Sequence, residues 1–72
     1  MQSERKLSIN RVLRRKEVER VTGLSRSTIY QRMSNGTFPK PVPLGPQRVG
    51  WMENELVDWI EERVRERDAS PR

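Results

Sequence analysis

Residues 15–34 read RKEVERVTGLSRSTIYQRMS, with closely spaced apolar residues on both sides of a central glycine. Val18 and Val21 lie three residues apart, which predicts the apolar stripe of a first short helix. Gly23 follows at once, where a tight turn between two helices needs a residue that tolerates a positive φ angle. Ser25 is a good N-cap for a second helix. The pattern therefore predicts two helices joined by a short turn.

The second helix is expected to bury Ile29 and Met33, which are four residues apart, with Leu24 packed beneath the turn. Its other face carries side chains that form hydrogen bonds with base edges and phosphates, and a small core needs none of them. These side chains are Arg26, Ser27, Tyr30, Gln31 and Ser34, with Thr28 and Arg32 on the flank. We interpret the two helices as a helix-turn-helix that binds DNA.

The start of the first helix breaks a local rule. Arg14, Arg15 and Lys16 stand at its N-terminal end, where the helix dipole disfavours cations, and Glu17 compensates only in part. A bound phosphate would be favourable in the same place. We therefore include Arg15 and Lys16 among the predicted DNA contacts.

Residues 37–51 read TFPKPVPLGPQRVGW, with three prolines at alternate positions that exclude a helix and a central strand. They permit an extended edge strand. Two apolar residues alternate before residues 45–48, which have the composition of a turn, and two alternate after them. The pattern predicts a small, stiff β-hairpin, a wing, whose cations are Lys40 and Arg48.

A third helix is predicted over residues 53–67, with acids early and arginines late, as the helix dipole favours. Its predicted apolar stripe comprises Leu56, Val57, Ile60 and Val64, with Trp59 at the margin. Trp51 and Ile60 are expected to be buried and to join the wing to this helix. Phe38, like Trp51, is expected to anchor the core and not to stack on bases, because so short a chain needs both.

Length and composition narrow the classes of function. Seventy-two residues allow one small domain. The chain has no cysteine and no histidine, so the usual residues of disulfides, thiolate zinc sites and catalytic triads are missing. The carboxylates cluster on a surface helix and assemble no nucleophile, base and oxyanion site. We therefore expect no enzyme, no cofactor and no metal.

Apolar runs are too short for a membrane span or a signal-peptide core, since none exceeds two residues, and a cytoplasmic location is expected. Charge is distributed unevenly. Residues 1–52 hold eleven Lys/Arg against three Glu, whereas residues 53–68 hold three Arg against seven acids. A basic body with an acidic helix suggests that one face is offered to a polyanion. The alternative is solubilising charge with no partner.

The domain boundaries follow from these elements. Residues 1–11 are expected to form a flexible N-terminal arm, of the kind that can lie along a phosphate backbone or simply fray. Residues 12–67 form the predicted domain, opened by Val12 and Leu13, and residues 68–72 form a flexible tail.

Successive motifs in one order resemble AlpA-type phage regulators. They are LRRKEV, TGLSRSTIY with a following Met, G-x-F-P-K-P-V, G-W, and an acidic helix with LVDWI. The resemblance covers about residues 12–63. These regulators are small relatives of the excisionases, with a winged helix-turn-helix like that of the MerR DNA-binding domain. Met52 departs from the pattern, since such proteins often carry a capping residue there.

The resemblance implies a mainly α fold with a small β-hairpin and double-stranded DNA as partner, with the second helix in the major groove and the wing on the backbone or minor groove. It also implies a transcriptional regulator, an excisionase that directs an integrase or recombinase, or both. Adjacent copies are expected to associate on DNA, because one small domain binds weakly alone. Carried over by position, the contacts are Ser25, Arg26, Ser27, Thr28, Tyr30, Gln31 and Arg32, with Lys40 and Arg48 in the wing.

A second hypothesis is a small adaptor or inhibitor that binds a regulatory protein and does not act through DNA. Its signature would be an exposed apolar patch, and Trp59 is the candidate.

Overall fold

The structure, a computed structural model, describes residues 11–70. Within that range the elements follow the order strand, helix, helix, strand, strand, helix. They are β1 (Val12–Leu13), α1 (Arg15–Thr22), α2 (Arg26–Ser34), β2 (Val42–Gly45), β3 (Arg48–Met52) and α3 (Glu53–Ala69). The predicted class, mainly α with a small hairpin in a winged helix-turn-helix, is confirmed.

The turn between α1 and α2 is built as its sequence predicts. Gly23 adopts a φ of 76° at the end of α1, and its N–H donates to the Glu19 carbonyl at 2.8 Å. Ser25 caps α2, because its hydroxyl accepts the Thr28 N–H at 3.2 Å. The Thr22 hydroxyl accepts the Leu24 N–H at 3.1 Å and closes the turn. Local hydrogen bonds therefore fix the angle between the helices.

The wing belongs to a three-stranded antiparallel sheet in the order β1-β3-β2. The hairpin of β2 and β3 is the predicted one, with Val42 opposite Gly50. The strand β1 was not predicted, and it pairs with the other edge of β3, where Leu13 lies opposite Trp51. Gly50 is buried between the two edges, where a Cβ atom would collide with the Val12 side chain. Position 50 of the middle strand therefore needs a glycine, because β1 packs closely against it.

One cluster of buried side chains joins all three helices to the sheet. It consists of Leu13, Val18, Ile29, Phe38, Trp51 and Leu56. The Trp51 indole N–H donates to the Pro39 carbonyl at 2.9 Å, which ties the middle strand to the segment that leads into β2. The roles predicted for Phe38 and Trp51 are confirmed.

Three predicted core positions are wrong. Val21 on α1 is 49% exposed, and Val57 and Val64 on α3 are 45% and 38% exposed. Neighbouring residues of a helix point about 100° apart, so Leu56 and Val57 do not face the same core. The residues of α3 that meet the core are Leu56, which is buried, and Trp59 and Ile60, which are half-buried against it.

The helix α3 begins at Glu53, as predicted, although Met52 offers no capping side chain. The Arg11 carbonyl accepts the Glu53 N–H at 2.8 Å, and the Arg11 guanidinium bonds the Glu53 carboxylate at 3.3 Å. Arg11 is therefore part of the fold and not of the predicted arm, whose residues 1–10 lie outside the described residues.

At the other end, α3 continues to Ala69, two residues beyond the predicted end. The Arg67 guanidinium bonds the Asp68 carboxylate at 2.9 Å in this last turn. The tail predicted from residue 68 is thus helical at its start, and residues 71–72 are not described.

Candidate nucleic-acid interface

The start of α2 displays a set of hydroxyls held by the helix cap. The Ser25 hydroxyl donates to Thr28 Oγ1 at 3.0 Å and lies 3.3 Å from the Ser27 hydroxyl. It also accepts the Thr28 N–H, so Ser25 has a structural role in addition to its predicted role as a DNA contact. Ser25 and Ser27 remain exposed, and Thr28 is half-buried on the flank.

Arg26 and Tyr30 form a stacked pair one turn apart on α2. The guanidinium carbon of Arg26 lies 5.5 Å from the centroid of the Tyr30 ring, within the range of a cation–π contact. Both side chains are exposed. The ring supports the guanidinium and restricts its rotamers, so less entropy is lost when Arg26 meets a partner.

Ser27 and Gln31 form a second exposed row beside this pair, because they too lie one helical turn apart. The amide of Gln31 can make bidentate contacts, as the guanidinium of Arg26 can. The exposed surface of α2 therefore carries two side chains suited to reading base edges, flanked by small hydroxyls.

A cleft brings α1, α2 and the wing together. Its lining includes four cations, Arg14, Arg15, Lys16 and Arg26, and it includes no carboxylate. The other lining residues are Tyr30, Gln47 and Val49. Gln47 lies in the wing turn with a φ of 59°, in the left-handed region. Three separate elements thus build one positively charged concavity of the kind that attracts a polyanion.

Within this cleft, Arg15 and Lys16 differ. Arg15 is half-buried and forms an ion pair with Glu19 one turn along α1, which shares its charge. Lys16 is exposed, and among residues 11–70 it has no carboxylate within ion-pair distance. Of these two residues, Lys16 is therefore the more accessible cation for an external anion.

The predicted wing cations lie outside the cleft lining. Lys40 and Arg48 are both exposed, Lys40 before β2 begins and Arg48 at the first position of β3, next to the turn. Arg48 follows the lining residue Gln47 in the sequence, whereas Lys40 lies two residues before β2 begins.

The structure separates Arg32 from the other predicted contacts. Its guanidinium carbon lies 5.9 Å from the centroid of the Trp59 ring on α3, and its Nε is buried without a hydrogen-bond partner among the described residues. Position 32 is two residues past Tyr30, so it points to a different side of α2. The sequence places Arg32 on a flank but does not show a partner 27 positions away.

Arg14 and Gln47 line the cleft but are not among the DNA contacts predicted from the sequence. Arg14 belongs to the same basic run as Arg15 and Lys16, and that run is the signal that could have included it. Nothing in the sequence marks Gln47, because its place in the cleft depends on how the wing folds against α1.

The helix α3 carries charge of the opposite sign, and much of it is paired internally. Arg65 bonds Glu62 at 2.7 Å, and Arg63 bonds Glu66 at 2.8 Å. The hydrogen bond from Arg65 lowers the pKa of Glu62 below its ordinary value, and the same bond raises the pKa of Arg65. The charge asymmetry predicted from the sequence thus has a spatial basis, with cations beside α2 and carboxylates on α3.

The described residues include neither a metal-binding cluster nor a membrane-spanning helix. No group of three or more His, Cys, Asp or Glu side chains is arranged to hold a metal ion in residues 11–70. No helix in that part of the chain combines the length and the apolar character needed to cross a membrane.

The short turn at Gly23, the capped and exposed second helix and the adjoining hairpin define a winged helix-turn-helix. The family model described as prophage CP4-57 regulatory protein (AlpA) matches residues 11–64. The chain belongs to this family.

Two curated proteins are similar to the chain. The DNA-binding transcriptional activator AlpA of Escherichia coli (strain K12) is 38% identical over 61 residues, which cover 76% of this chain and 87% of that protein. The uncharacterized protein ORF88 of Enterobacteria phage P4 is 44% identical over 54 residues, which cover 75% of this chain and 61% of that protein. The chain therefore spans about three fifths of the phage P4 relative.

Proposed function

We propose that this protein binds double-stranded DNA in a sequence-specific manner and regulates transcription in a phage or other mobile element. The observation that carries the proposal is the cleft between α1, α2 and the wing, whose lining holds four cations and no carboxylate. It adjoins the exposed face of α2, so phosphates in the cleft would place that face toward a groove. The name of the Escherichia coli relative, a DNA-binding transcriptional activator, supports the same reading.

In the proposed complex α2 lies in the major groove. Arg26 and Gln31 read base edges, because their side chains can make bidentate contacts from the exposed face. Ser27, Tyr30 and Thr28 contact bases or phosphates around them, and Ser25 contributes through its place at the cap. Arg32 keeps only a phosphate contact in this proposal, since its guanidinium lies against Trp59.

Phosphates are held by the cleft and by the wing. Arg15 and Lys16 at the start of α1 meet the backbone on one side of the groove. Lys40 and Arg48 meet it from the wing. These contacts orient the domain, whereas the residues of α2 carry the sequence preference.

The same chemistry serves a regulator and an excisionase, because each positions a small basic domain on repeated sites. The proposal includes both roles, with an integrase or recombinase as a further partner and adjacent copies associating on DNA. One such domain offers few base contacts, so neighbouring copies raise the occupancy of the site. The proposed place of action is the cytoplasm, on the nucleoid.

Nuclease footprinting on the DNA around the protein's own gene tests this proposal. We expect protection of short adjacent sites at a protein concentration that leaves unrelated DNA unprotected. Protection at a promoter alone assigns regulation, and protection beside an attachment site assigns excision. Equal protection of every sequence at each concentration would contradict sequence-specific binding.

A further inference from the structure

A groove on the side of α3 is lined by residues that are not among the proposed DNA contacts. It runs between α3 and the segment that connects α2 to β2, is open to solvent and has a volume of about 590 Å³. None of its lining residues lines the basic cleft. Phe38, Pro39 and Trp59 contribute its apolar surface, and Glu55, Asp58 and Glu62 contribute its carboxylates.

The apolar floor of the groove is rigid. The rings of Phe38 and Trp59 meet edge to face, with centroids 4.8 Å apart. The Trp59 indole N–H donates to the Thr37 carbonyl at 2.8 Å, which fixes the ring against the connecting segment. The guanidinium carbon of Arg63 lies 4.9 Å from the centroid of the Trp59 ring and supports it from the side of α3. The floor thus needs little reorganisation when it is covered.

The carboxylates determine which partner the groove can accept. Glu55 and Asp58 are exposed, and within residues 11–70 neither forms an ion pair. The cation in the lining, Arg63, already bonds Glu66 through two nitrogens. The groove is therefore negative in a chain whose formal net charge is +5, so it repels both DNA and acidic peptides.

We propose that this groove binds a basic segment of a partner protein while the opposite charge of the α2 side holds DNA. Lysine or arginine stems of the segment pack on the half-buried Trp59 and Pro39, and their charged ends reach Glu55 and Asp58. A second copy of this chain fits less well, because its cations in the cleft are the ones proposed to hold DNA. The inference adds a partner to the proposed function and does not depend on which DNA sequence is bound.

The test uses the full chain, labelled with ¹⁵N, and a short peptide of alternating arginine and leucine as the probe. We expect the peptide to shift the indole N–H signal of Trp59, which lines the groove, more than that of Trp51, which is buried beneath Pro39 and bonds its carbonyl. The matched probe carries citrulline for arginine, which keeps the shape and removes the charge. It should bind about tenfold more weakly, a difference of about 1.4 kcal/mol.

Two double variants with the same change in net charge locate the contact. Glu55→Gln with Asp58→Asn should weaken binding of the arginine peptide about tenfold. Glu61→Gln with Asp68→Asn, on the same helix but outside the groove lining, should change it by less than about twofold. Both variants should bind DNA equally well, so a failure of this inference is distinct from a failure of DNA binding.

Three results would overturn the inference. The citrulline peptide could bind as well as the arginine peptide, or both double variants could lose the same affinity, which would reduce the contact to general charge attraction. Sedimentation velocity could instead show that the unmodified chain self-associates and that only the groove variant does not. That result would assign the groove to a second copy.

Discussion

The α2 side and the α3 side of this domain both carry many charges, but they use them differently. On α3, Glu62 bonds Arg65 and Glu66 bonds Arg63, so part of the charge is neutralised within one helix. On the α2 side, Lys16 and Arg26 form no ion pair within residues 11–70. Exposed pairs along a helix contribute little to stability, whereas cations without a carboxylate nearby attract an external anion.

This difference shows why the net charge alone says little about function. On α3 the carboxylates outnumber the arginines, seven to three over residues 53–68, so this helix offers no excess of cations to DNA. The converging cations of α1 and α2 have the opposite character, because no carboxylate lines their cleft. Substitutions on the two sides should therefore have different effects.

The attachment of α3 to the rest of the domain should depend on Leu56. This side chain is 1% exposed in the common core, so Leu56→Ala should lower the free energy of unfolding by about 3 kcal/mol. Val57→Ala, at the next position, is the matched control, because Val57 is 45% exposed and should cost less than about 1 kcal/mol. Chemical denaturation monitored by the fluorescence of the two tryptophans, Trp51 and Trp59, measures both. Similar losses for the two variants would mean that the core-facing side of α3 is misassigned.

Sequence preference should depend on the α2 side alone. Arg26→Ala should weaken binding to the cognate site by about 2 kcal/mol and binding to random DNA much less, because a bidentate base contact is lost. Arg65→Ala removes the same charge from α3 and should leave the ratio of the two affinities unchanged, since Arg65 lies outside the proposed base contacts. Fluorescence anisotropy with both DNAs measures these affinities. If Arg26→Ala weakens both DNAs equally, Arg26 contacts phosphate and not bases.

The turn between α1 and α2 and the hairpin were predicted correctly, because each is determined by residues close together in the sequence. Gly23 and Ser25 mark the turn because a positive φ and a helix cap are local requirements. The prolines before Leu44 and the turn after it likewise predicted the hairpin. The strand β1 was missed because two residues carry no period, and only the long-range pairing of Leu13 with Trp51 reveals it.

The candidate site was predictable only in part. The exposed row of α2 follows from helical periodicity, and the structure exposes Arg26 and Gln31 as that period requires. The contact of Arg32 with Trp59 and the position of Gln47 in the cleft depend on tertiary packing, which no local pattern encodes. The exposure of Val57 has the same origin, since two adjacent apolar residues leave the core-facing side undecided.

The wing should contribute affinity without sequence preference, and its two cations should contribute unequally. Arg48 follows the turn residue Gln47, which lines the cleft. Lys40 lies two residues before the start of β2, away from the turn. Both side chains are exposed, so neither Arg48→Ala nor Lys40→Ala should change the melting temperature appreciably. Arg48→Ala should weaken binding to every DNA sequence by about 1 kcal/mol and reduce the slope of log K against log salt by about 0.9, as one lost phosphate contact requires.

Lys40→Ala removes the same charge at a position farther from the wing turn, and it should reduce that slope less. Arg65→Ala is the control for net charge, and it should leave the slope unchanged because Arg65 lies on α3, outside the proposed phosphate contacts. Titrations of all three variants at several salt concentrations decide the matter. An equal reduction for Arg48→Ala and Arg65→Ala would mean that the overall charge sets the salt dependence. The different arrangement of charges on the two sides would then have no effect on DNA binding. The wing would also make no specific contact with the DNA phosphates.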